Sequence, residues 1–309
     1  MQTNEATAKS WIMIAILGVI WGSSFMAVSI AIQGFGPLTV AAIRITIGAV
    51  MLYSLTRILG IALPVFSGRE GRLTWLAALG FGFCSMALPF FLLSWGQQYV
   101  SSGFAGVTMA AVPLLVLPLA HFLVPGDQMT LPKAIGFIVG FAGVVVLIGL
   151  SAFDGGSSGG GLETLAKVAC LGASVGYAFG GIITRLAPKV DPIAFAASAT
   201  ILGALMISPI AFSVEGIPEM PETMPLIAVI FLGVVPTAMA NLLLVAVIRS
   251  AGPSFLSLVN YQVPIWSVIF GAVFLSEALP PSTFYALALI LGGVGLSQIK
   301  TLRRLFQRN

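Results

Sequence analysis

Ten long apolar segments fill this chain, and its lysines and arginines fall almost entirely in alternate gaps between them. Each segment is near or above the ~20 residues that an α-helix needs to cross about 30 Å of hydrocarbon. Because backbone polar groups in lipid must be paired within the segment, each one is predicted to be a membrane-spanning helix. The segments are approximately Trp11–Gln33, Pro37–Leu55, Leu73–Gln97, Gly103–Val124, Pro132–Phe153, Leu162–Ala187, Pro192–Val214, Pro225–Ile248, Pro253–Ser276 and Ser282–Ile299.

The composition supports this assignment to the membrane. Hydrophobic residues make up 58% of the chain and charged residues only 8%, and the mean hydropathy is +1.07. Soluble domains carry about 25% charged residues, so a water-soluble fold is excluded. The apolar runs are continuous, whereas the strands of a membrane β-barrel alternate between apolar and polar residues. The predicted fold class is therefore all-α and integral to the membrane, with ten transmembrane helices.

The charged residues divide the gaps into two classes. If the N-terminus is cytoplasmic, 12 of the 14 basic residues lie on the cytoplasmic side, and acidic residues occupy the other side. Because cytoplasmic loops are enriched in lysine and arginine, both termini are predicted to be cytoplasmic in a multi-pass protein of the cell (inner) membrane. The basic tail then anchors to the membrane surface, and nucleic-acid binding is not expected. The basic residues are Lys9, Arg57, Arg69, Arg72, Lys133, Arg185, Lys189, Arg249, Lys300, Arg303, Arg304 and Arg308, and the acidic residues are Asp154, Glu163, Glu215, Glu219, Glu222 and Glu277.

The two halves of the chain match each other at low identity but in constant order. Residues 1–153 and 162–309 each contain five segments, and a Gly/Ser linker at 154–161 joins them outside the cytoplasm. Because the number in each half is odd, the second half must lie inverted in the membrane. Inverted repeats are typical of secondary transporters, whose substrate binds near the midplane between the repeats. The matching residues are Gly18, Gly22 and Phe25 with Gly172, Gly176 and Phe179, Pro37 and Ala41 with Pro192 and Ala196, Val112 and Pro113 with Val263 and Pro264, and Gly143 and Val144 with Gly293 and Val294.

Several of these segments also resemble a known family. The residues that carry the resemblance are Trp21–Phe25, Arg44, Ser250–Pro253, Pro264, Leu275–Glu277 and Gly292–Val294. In these residues the chain is similar to the drug/metabolite transporter superfamily, in its EamA-like, ten-helix branch. The resemblance implies a basket of ten helices around a central cavity that moves metabolites such as amino acids, often outward. The first half departs from the family pattern at Pro125–Asp127, where glutamate is usual.

Polar, charged and aromatic side chains within the segments are the candidates for binding a substrate, because polar groups in hydrocarbon are costly and mark functional sites. Each has an alternative role in helix packing, where small and amide residues are also enriched. Arg44 could bind a substrate carboxylate, extend to the interface, or bond the backbone carbonyls of neighbouring helices. The candidates are Trp21, Ser24, Arg44, Ser85, Ser174, Tyr177, Thr237, Asn241, Ser257, Asn260, Gln262 and Trp266.

Prolines and glycines in the segments predict how the helices bend and pack. Pro113 and Pro264 occupy matching positions in the two halves, and each is predicted to bend its helix. The hypothesis is that these two bends serve a gating motion. A ladder of glycines, Gly172, Gly176 and Gly180, is interpreted as a close helix contact, for which the first segment offers a small-residue partner at 18–22.

Residues suited to proton coupling or catalysis are few. No aspartate or glutamate lies in the middle of a segment, so an intramembrane proton relay would lack its carboxylate. His121 lies near the cytoplasmic end of the fourth segment and is interpreted as structural. The stretch Gly172–Gly176 matches a nucleophile elbow, but that motif requires a strand-to-helix turn, so an intramembrane serine protease is the least favoured hypothesis. The glycine-rich run 155–161 lacks the lysine of a P-loop, and no cofactor or metal is expected.

The sequence therefore predicts a secondary transporter rather than an enzyme. It is expected to move a small, partly apolar metabolite by alternating access, with the export of amino acids as the first hypothesis. Without a coupling carboxylate, this movement is predicted to be facilitative. The alternative is the efflux of a drug-like or nucleobase-like compound. The expected partners are the substrate and the lipid bilayer, and the protein could act as a monomer or a homodimer.

Overall fold

The computed structural model describes residues 7–149 and 161–299, and the regular structure within these two stretches is helical throughout. Eight helices are long and apolar enough to span a membrane, and two further apolar helices are shorter. The predicted all-α membrane fold with ten helices is confirmed. The helices are α1 (Ala8–Ala31), α2 (Pro37–Ile58), α3 (Gly68–Gly96), α4 (Ser102–Leu123), α5 (Leu131–Ile148), α6 (Gly161–Leu186), α7 (Pro192–Glu215), α8 (Thr223–Ala251), α9 (Pro253–Leu256 and Val259–Leu275) and α10 (Pro281–Ser297).

The helix ends follow from local capping chemistry. The side chain of Thr7 accepts a hydrogen bond from the Ser10 N–H at the start of α1, and the Asp191 carboxylate accepts two at the start of α7. Such caps pair N–H groups that the first helical turn leaves free. At the other end, α7 and α8 stop at Gly216 and Gly252, with φ of 76° and 85°. Glycine adopts this left-handed conformation without steric cost, so both helices end there.

The helices of the two halves, residues 7–149 and residues 161–299, interlock. Between the halves, α2 lies against α7 and α5 lies against α10, so each helix contacts its own repeat counterpart. Other helices also contact the opposite half: α1 packs against α9, and α6 packs against α3 and α4. This interlocking places the space between the halves at the centre of the bundle.

The two ends of the bundle differ in charge. We call them the basic end, where α1 begins, and the acidic end, where α1 stops. The predicted linker at 154–161 lies almost entirely outside the described residues, as do Lys300, Arg303, Arg304 and Arg308. The described basic residues at the basic end are Lys9, Arg57, Arg69, Arg72, Lys133, Arg185, Lys189 and Arg249, and the described glutamates at the acidic end are Glu163, Glu215, Glu219, Glu222 and Glu277.

Two of these glutamates join elements at the acidic end. The Glu215 carboxylate, at the end of α7, accepts hydrogen bonds from the N–H groups of Leu38 and Thr39 at 2.9 and 2.8 Å. Glu277, just after α9, bonds the first N–H groups of α4 in the same manner. A carboxylate at a helix N-terminus pairs free donors and complements the helix dipole. Both contacts therefore tie one half of the molecule to the other.

Interruptions in the α-helical hydrogen bonding occur at matching places in the two halves. A π-helical turn occupies Phe83–Ala87 in α3, and a second occupies Gly233–Met239 in α8. Neither turn is predicted by the sequence pattern, although Pro236 lies inside the second. A 3₁₀ turn at Met109–Ala111 precedes Pro113 in α4. π-helical turns are frequent at functional sites because they redirect side chains, and these two lie where the halves meet.

The glycine ladder of α6 is a close helix contact, but the partner suggested by the sequence is wrong. A Cβ at Gly176 would lie 2.6 Å from the Cys84 carbonyl oxygen, and one at Gly180 would collide with the Ser85 side chain. Both neighbours belong to α3. Gly18 of α1 instead faces the side chain of Gln262 on α9. Two separate glycine contacts thus bring α6 to α3 and α1 to α9.

Candidate substrate site

A cavity of about 400 Å³ lies at the centre of the bundle, between the two halves. This volume is within the range of about 300–1,000 Å³ that ligand pockets commonly have. Side chains from α1, α2, α3, α4, α6, α8 and α9 contribute to its wall. Eight of the residues proposed from sequence line it: Trp21, Ser24, Arg44, Ser85, Tyr177, Thr237, Asn241 and Asn260.

Arg44 is the only charged residue among the described residues that line this cavity. Its side chain is only 6% exposed, so it does not extend to either end of the bundle. The Arg44 Nε–H donates to the Thr237 hydroxyl at 2.9 Å, and the guanidinium carbon lies 3.7 Å from the centre of the Phe90 ring. Within residues 7–149 and 161–299, no carboxylate forms an ion pair with it. A buried cation without a counter-charge is therefore held against the cavity.

The π-helical turn of α8 determines where Arg44 is held. The Thr237 hydroxyl accepts from Arg44 and donates to the Leu232 carbonyl oxygen at 2.8 Å. The Asn241 side-chain amide donates to the Thr237 carbonyl oxygen at 2.5 Å. The donor and acceptor of this hydroxyl are thus both used, which fixes its orientation. Only the Nε edge of the guanidinium is bonded in this way, and its two terminal nitrogens have no hydrogen-bond partner among the described residues.

Most of the remaining wall is apolar and aromatic. Besides Trp21 and Tyr177 it includes Phe25, Phe81 and Phe90. Aromatic rings offer large apolar surfaces, and their faces attract cations. Among the polar groups, Ser24 donates its hydroxyl hydrogen to a backbone carbonyl of its own helix. The cavity therefore combines one positive charge and a few amides with a mainly apolar surface.

Four of the residues proposed from sequence lie between helices and do not line the cavity. The Ser174 hydroxyl donates to the Thr108 carbonyl oxygen at 2.9 Å, between α6 and α4. Ser257 contacts the side chain of Gln298 at 3.4 Å. Gln262 and Trp266 face the two glycines of α1, Gly18 and Gly22. Small residues on one helix make room for large ones on the next, which is the packing alternative that the sequence left open.

Other lining residues were absent from the sequence-based set. They include Gln97, at the end of α3, together with Phe90 and Met86. Gln97 stood at the boundary of an apolar segment, where a glutamine indicates a solvated end rather than a buried site. A signal was nonetheless available, because Phe90 and Gln97 are seven residues apart and so share one helical face.

The two matching prolines lie next to the cavity. Each proline lacks the N–H that would bond the carbonyl four residues earlier, which belongs to Met109 for Pro113 and to Asn260 for Pro264. Both of these earlier residues line the cavity. The break in α9, after Leu256, precedes Pro264 rather than coinciding with it. Their gating role stays a prediction.

The groups considered for catalysis lie apart. Ser174 is fully buried within α6 and bonded to Thr108, whereas the His121 Nδ1 accepts from the Met129 N–H at the basic end, at 3.3 Å. A nucleophile and its base must lie within hydrogen-bonding reach of each other. This pair therefore does not form the arrangement that the Gly172–Gly176 motif would need.

Comparisons with known proteins agree with the architecture. An uncharacterized transporter of Archaeoglobus fulgidus is 27% identical over 93% of this chain and 97% of its own length. A probable terminal-alkyne amino-acid exporter of Streptantibioticus cattleyicolor is 28% identical over 95% and 94%. The uncharacterized inner membrane transporter YedA of Escherichia coli is 25% identical over 91% and 87%.

A solved crystal structure shares the fold of this chain. It superposes with a TM-score of 0.67 at 19% identity, covering 96% of this chain and 99% of the other. The model of the EamA-like transporter family matches residues 9–149 and again residues 164–298. These two matches cover most of both halves. The chain is therefore a multi-pass membrane protein that belongs to the EamA-like transporter family.

Proposed function

We propose that this protein exports small α-amino acids with apolar side chains, moving them down their gradient by alternating access of the two halves. The observation that carries the proposal is Arg44, a buried cation at the cavity with no acidic partner in the described part of the chain. The cavity between inverted halves is the place where secondary transporters bind their substrates.

The state of Arg44 favours a carboxylate as the missing partner. Burying an unpaired charge costs several kcal/mol, by order of magnitude, so such groups are normally paired. The planar guanidinium bonds carboxylates through two parallel N–H groups, and here the bond to Thr237 uses only Nε. Stacking on Phe90 holds the guanidinium plane in place. A substrate carboxylate would supply both the counter-charge and the acceptors.

The rest of the wall favours an apolar body on that substrate. Trp21, Phe25 and Phe81 offer aromatic surface, and the cavity volume of about 400 Å³ suits a small molecule. One relative is named a probable amino-acid exporter, which agrees with a carboxylate-bearing solute and with outward movement. The basic end would face the cytoplasm, because lysine and arginine are enriched in cytoplasmic loops.

The distribution of carboxylates supports transport without proton coupling. Within the described residues, every aspartate and glutamate lies in a loop or in the first or last turn of a helix. Intramembrane proton relays use acidic or histidine side chains inside the spans. We therefore expect flux to follow the substrate gradient. Accumulation of the substrate in proteoliposomes driven by a pH gradient alone would contradict this.

Transport by purified protein in proteoliposomes tests the proposal. The panel contains radiolabelled leucine and phenylalanine, the corresponding amines isoamylamine and phenethylamine, and uracil. We expect the amino acids to move and the amines and uracil to move little. Arg44→Gln should lower kcat/KM for the amino acids about 10- to 100-fold, because a hydrogen bond to a charged group is lost, and Arg44→Lys should recover only part of the activity.

The control is Arg185→Gln, which removes an arginine from a surface ion pair at the basic end. It should transport as the unaltered protein does. Equal flux of the amines and the amino acids, or full activity of Arg44→Gln, would overturn the proposal. Preferential flux of uracil would favour the nucleobase alternative instead.

A further inference from the structure

A second polar group borders the cavity and is left unsatisfied. Gln97, which follows the last residue of α3 at the acidic end, is only 6% exposed and lines the cavity. Its Oε1 accepts a hydrogen bond from the Ser29 hydroxyl of α1 at 2.9 Å. Its Nε2 is buried and has no hydrogen-bond partner in the described part of the chain. Buried amide groups are almost always paired, so an exception next to a cavity indicates a place for a ligand.

The hydrogen bond with Ser29 allows the side-chain amide of Gln97 to adopt either of two orientations. A serine hydroxyl can donate or accept, so Ser29 can bond either the oxygen or the nitrogen of the glutamine amide. Rotation of the amide by half a turn therefore keeps the contact with Ser29 and exchanges the group left for the cavity. Gln97 can present an N–H to an acceptor or a carbonyl oxygen to a donor.

The helix ends around Gln97 favour a positive group there. Gln97 is the C-cap of α3, and Ser29 lies in the last turn of α1, so both residues stand at helix C-termini. The C-terminus of a helix carries a partial negative charge that attracts cations within its last turn. Arg44, deeper in the bundle, offers the opposite charge. The cavity is thus polarised along its length.

Phe90 relates the position of the Arg44 guanidinium to that of Gln97 along α3. The Arg44 guanidinium lies over Phe90, and Gln97 follows Phe90 by seven residues on the same face of α3. Seven residues correspond to about 10 Å along a helix axis. The Arg44 guanidinium and the Gln97 amide therefore reach the cavity at positions about two turns of α3 apart, roughly the span of a carboxylate, its neighbouring ammonium group and one hydrogen bond to each.

We propose that Gln97, supported by Ser29, binds the α-ammonium group of the substrate while Arg44 binds its carboxylate. This inference rests on the proposed function and refines it. Arg44 recognises any carboxylate, and Gln97 distinguishes α-amino acids from carboxylic acids that lack the amine. Gln97 is then the residue that determines specificity, placed on the side of the cavity nearer the acidic end.

Two matched pairs of solutes test this division of roles. Leucine is compared with 4-methylpentanoate, and phenylalanine with 3-phenylpropanoate, each acid having the same carbon skeleton without the amine. The variants are Gln97→Met, which keeps the length of the side chain and removes the amide, and Gln98→Met, the same change at the exposed neighbour. Initial rates in proteoliposomes give kcat and KM for each solute.

We expect the unaltered protein and Gln98→Met to prefer each amino acid over its matched acid. Gln97→Met should lower kcat/KM for the amino acids about tenfold, mainly through KM, and leave the acids unchanged. Arg44→Gln should lower both members of each pair. Size-exclusion profiles and thermal unfolding in detergent establish that each variant is folded.

Three outcomes separate the two proposals. An equal loss for both members of a pair in Gln97→Met, or no loss, overturns the role of Gln97 and leaves the carboxylate site intact. Full activity of Arg44→Gln on both members overturns the carboxylate site. If the unaltered protein moves neither amino acid, the proposed function fails and the role of Gln97 fails with it.

Discussion

The crossing of α2 with α8 and the crossing of α7 with α3 occupy matching places in the two halves, yet only the first carries a charge. At the first crossing, a Cβ on Gly233 would lie 2.5 Å from the Ile47 Cβ and 3.2 Å from the Arg44 carbonyl oxygen. At the second, a Cβ on Gly82 would collide with the carbonyl oxygen of Ala199. Ala199 is the repeat counterpart of Arg44.

The two crossings share a close approach of the helix backbones, but they differ in the side chains that they place next to the cavity. The Arg44 side chain extends from α2 to the π-helical turn of α8, where it donates a hydrogen bond to Thr237. The π-helical turn of α3 contributes Ser85 and Met86 to the wall, but no charged group. Two-fold related helices therefore build a symmetric frame around an asymmetric cavity. A substrate with different ends needs this asymmetry, because its carboxylate and its tail must meet different surfaces.

The largest loss of stability is expected from placing a larger side chain at either of the two helix crossings. Gly82→Val and Gly233→Val each place atoms where a facing helix already lies, and at Gly82 the obstacle is backbone, which cannot rotate away. Each variant should lose about 3 kcal/mol of stability, the upper part of the usual range for overpacking, and accumulate poorly in the membrane. Gly292→Ala is the control, since a Cβ there meets nothing within 4 Å. Normal thermal unfolding of Gly82→Val would refute the close approach.

The second-largest effect is expected from changing a cavity-lining side chain in one of the two π-helical turns. Thr237→Val keeps the shape of the side chain and removes the hydroxyl that bonds Arg44. Losing a hydrogen bond to a charged group should raise KM for an amino acid about tenfold. Met86→Leu, in the other π-helical turn, should change KM less than about threefold, because it exchanges similar apolar volumes. Equal effects in transport assays would mean that the two turns contribute alike.

A third comparison concerns the acidic residue after the fourth helix of each half. Glu277 bonds the N–H groups of Ser102 and Gly103 at 2.8 and 3.0 Å. Its counterpart, Asp127, forms ion pairs with Lys133 and Arg185 instead, and no helix N–H group in the described part of the chain bonds its carboxylate. Glu277→Gln should lower the free energy of unfolding by about 1 kcal/mol, as loss of a helix cap does. An unchanged unfolding temperature for this variant would show that the α4 cap adds no stability.

The smallest effect is expected at Asp127. It forms ion pairs with Lys133 at 2.6 Å and with Arg185 at 2.9 Å, on the solvent-accessible basic end. Because partly exposed ion pairs contribute little, Asp127→Asn should cost less than about 1 kcal/mol. A loss larger than that of Glu277→Gln would reverse this part of the comparison.

The same ion pairs predict a dependence on pH. The hydrogen bond from Lys133, aided by Arg185, lowers the pKa of Asp127 below its ordinary value of 3.8. Because the folded state favours the ionised carboxylate, the stabilisation is complete above pH 3.8 and is lost as the pH falls through the lower folded pKa. Asp127→Asn should remove this part of the acid sensitivity, as unfolding temperatures measured between pH 5 and about pH 2 can test.

Sequence reasoning predicted the frame of this protein well because each span obeys a local rule. Helix number follows from hydrophobic length, which does not depend on distant contacts. Eight candidate residues reached the cavity wall, among them Arg44, whose cost in hydrocarbon makes it conspicuous. Ser174 and Gln262 did not, because their helical faces turn towards neighbours that the sequence cannot identify.

The sequence by itself determined a ten-helix membrane protein with one buried cation, since hydrophobic length and the cost of burying polar groups act within each segment. Only the tertiary structure determined which side chains surround Arg44. Thr237 and Phe90 lie on different helices from Arg44, and Gln97 was not among the residues proposed from sequence. Glycine contacts bring these helices together, and the partner of a glycine face is set by the packing of the whole bundle.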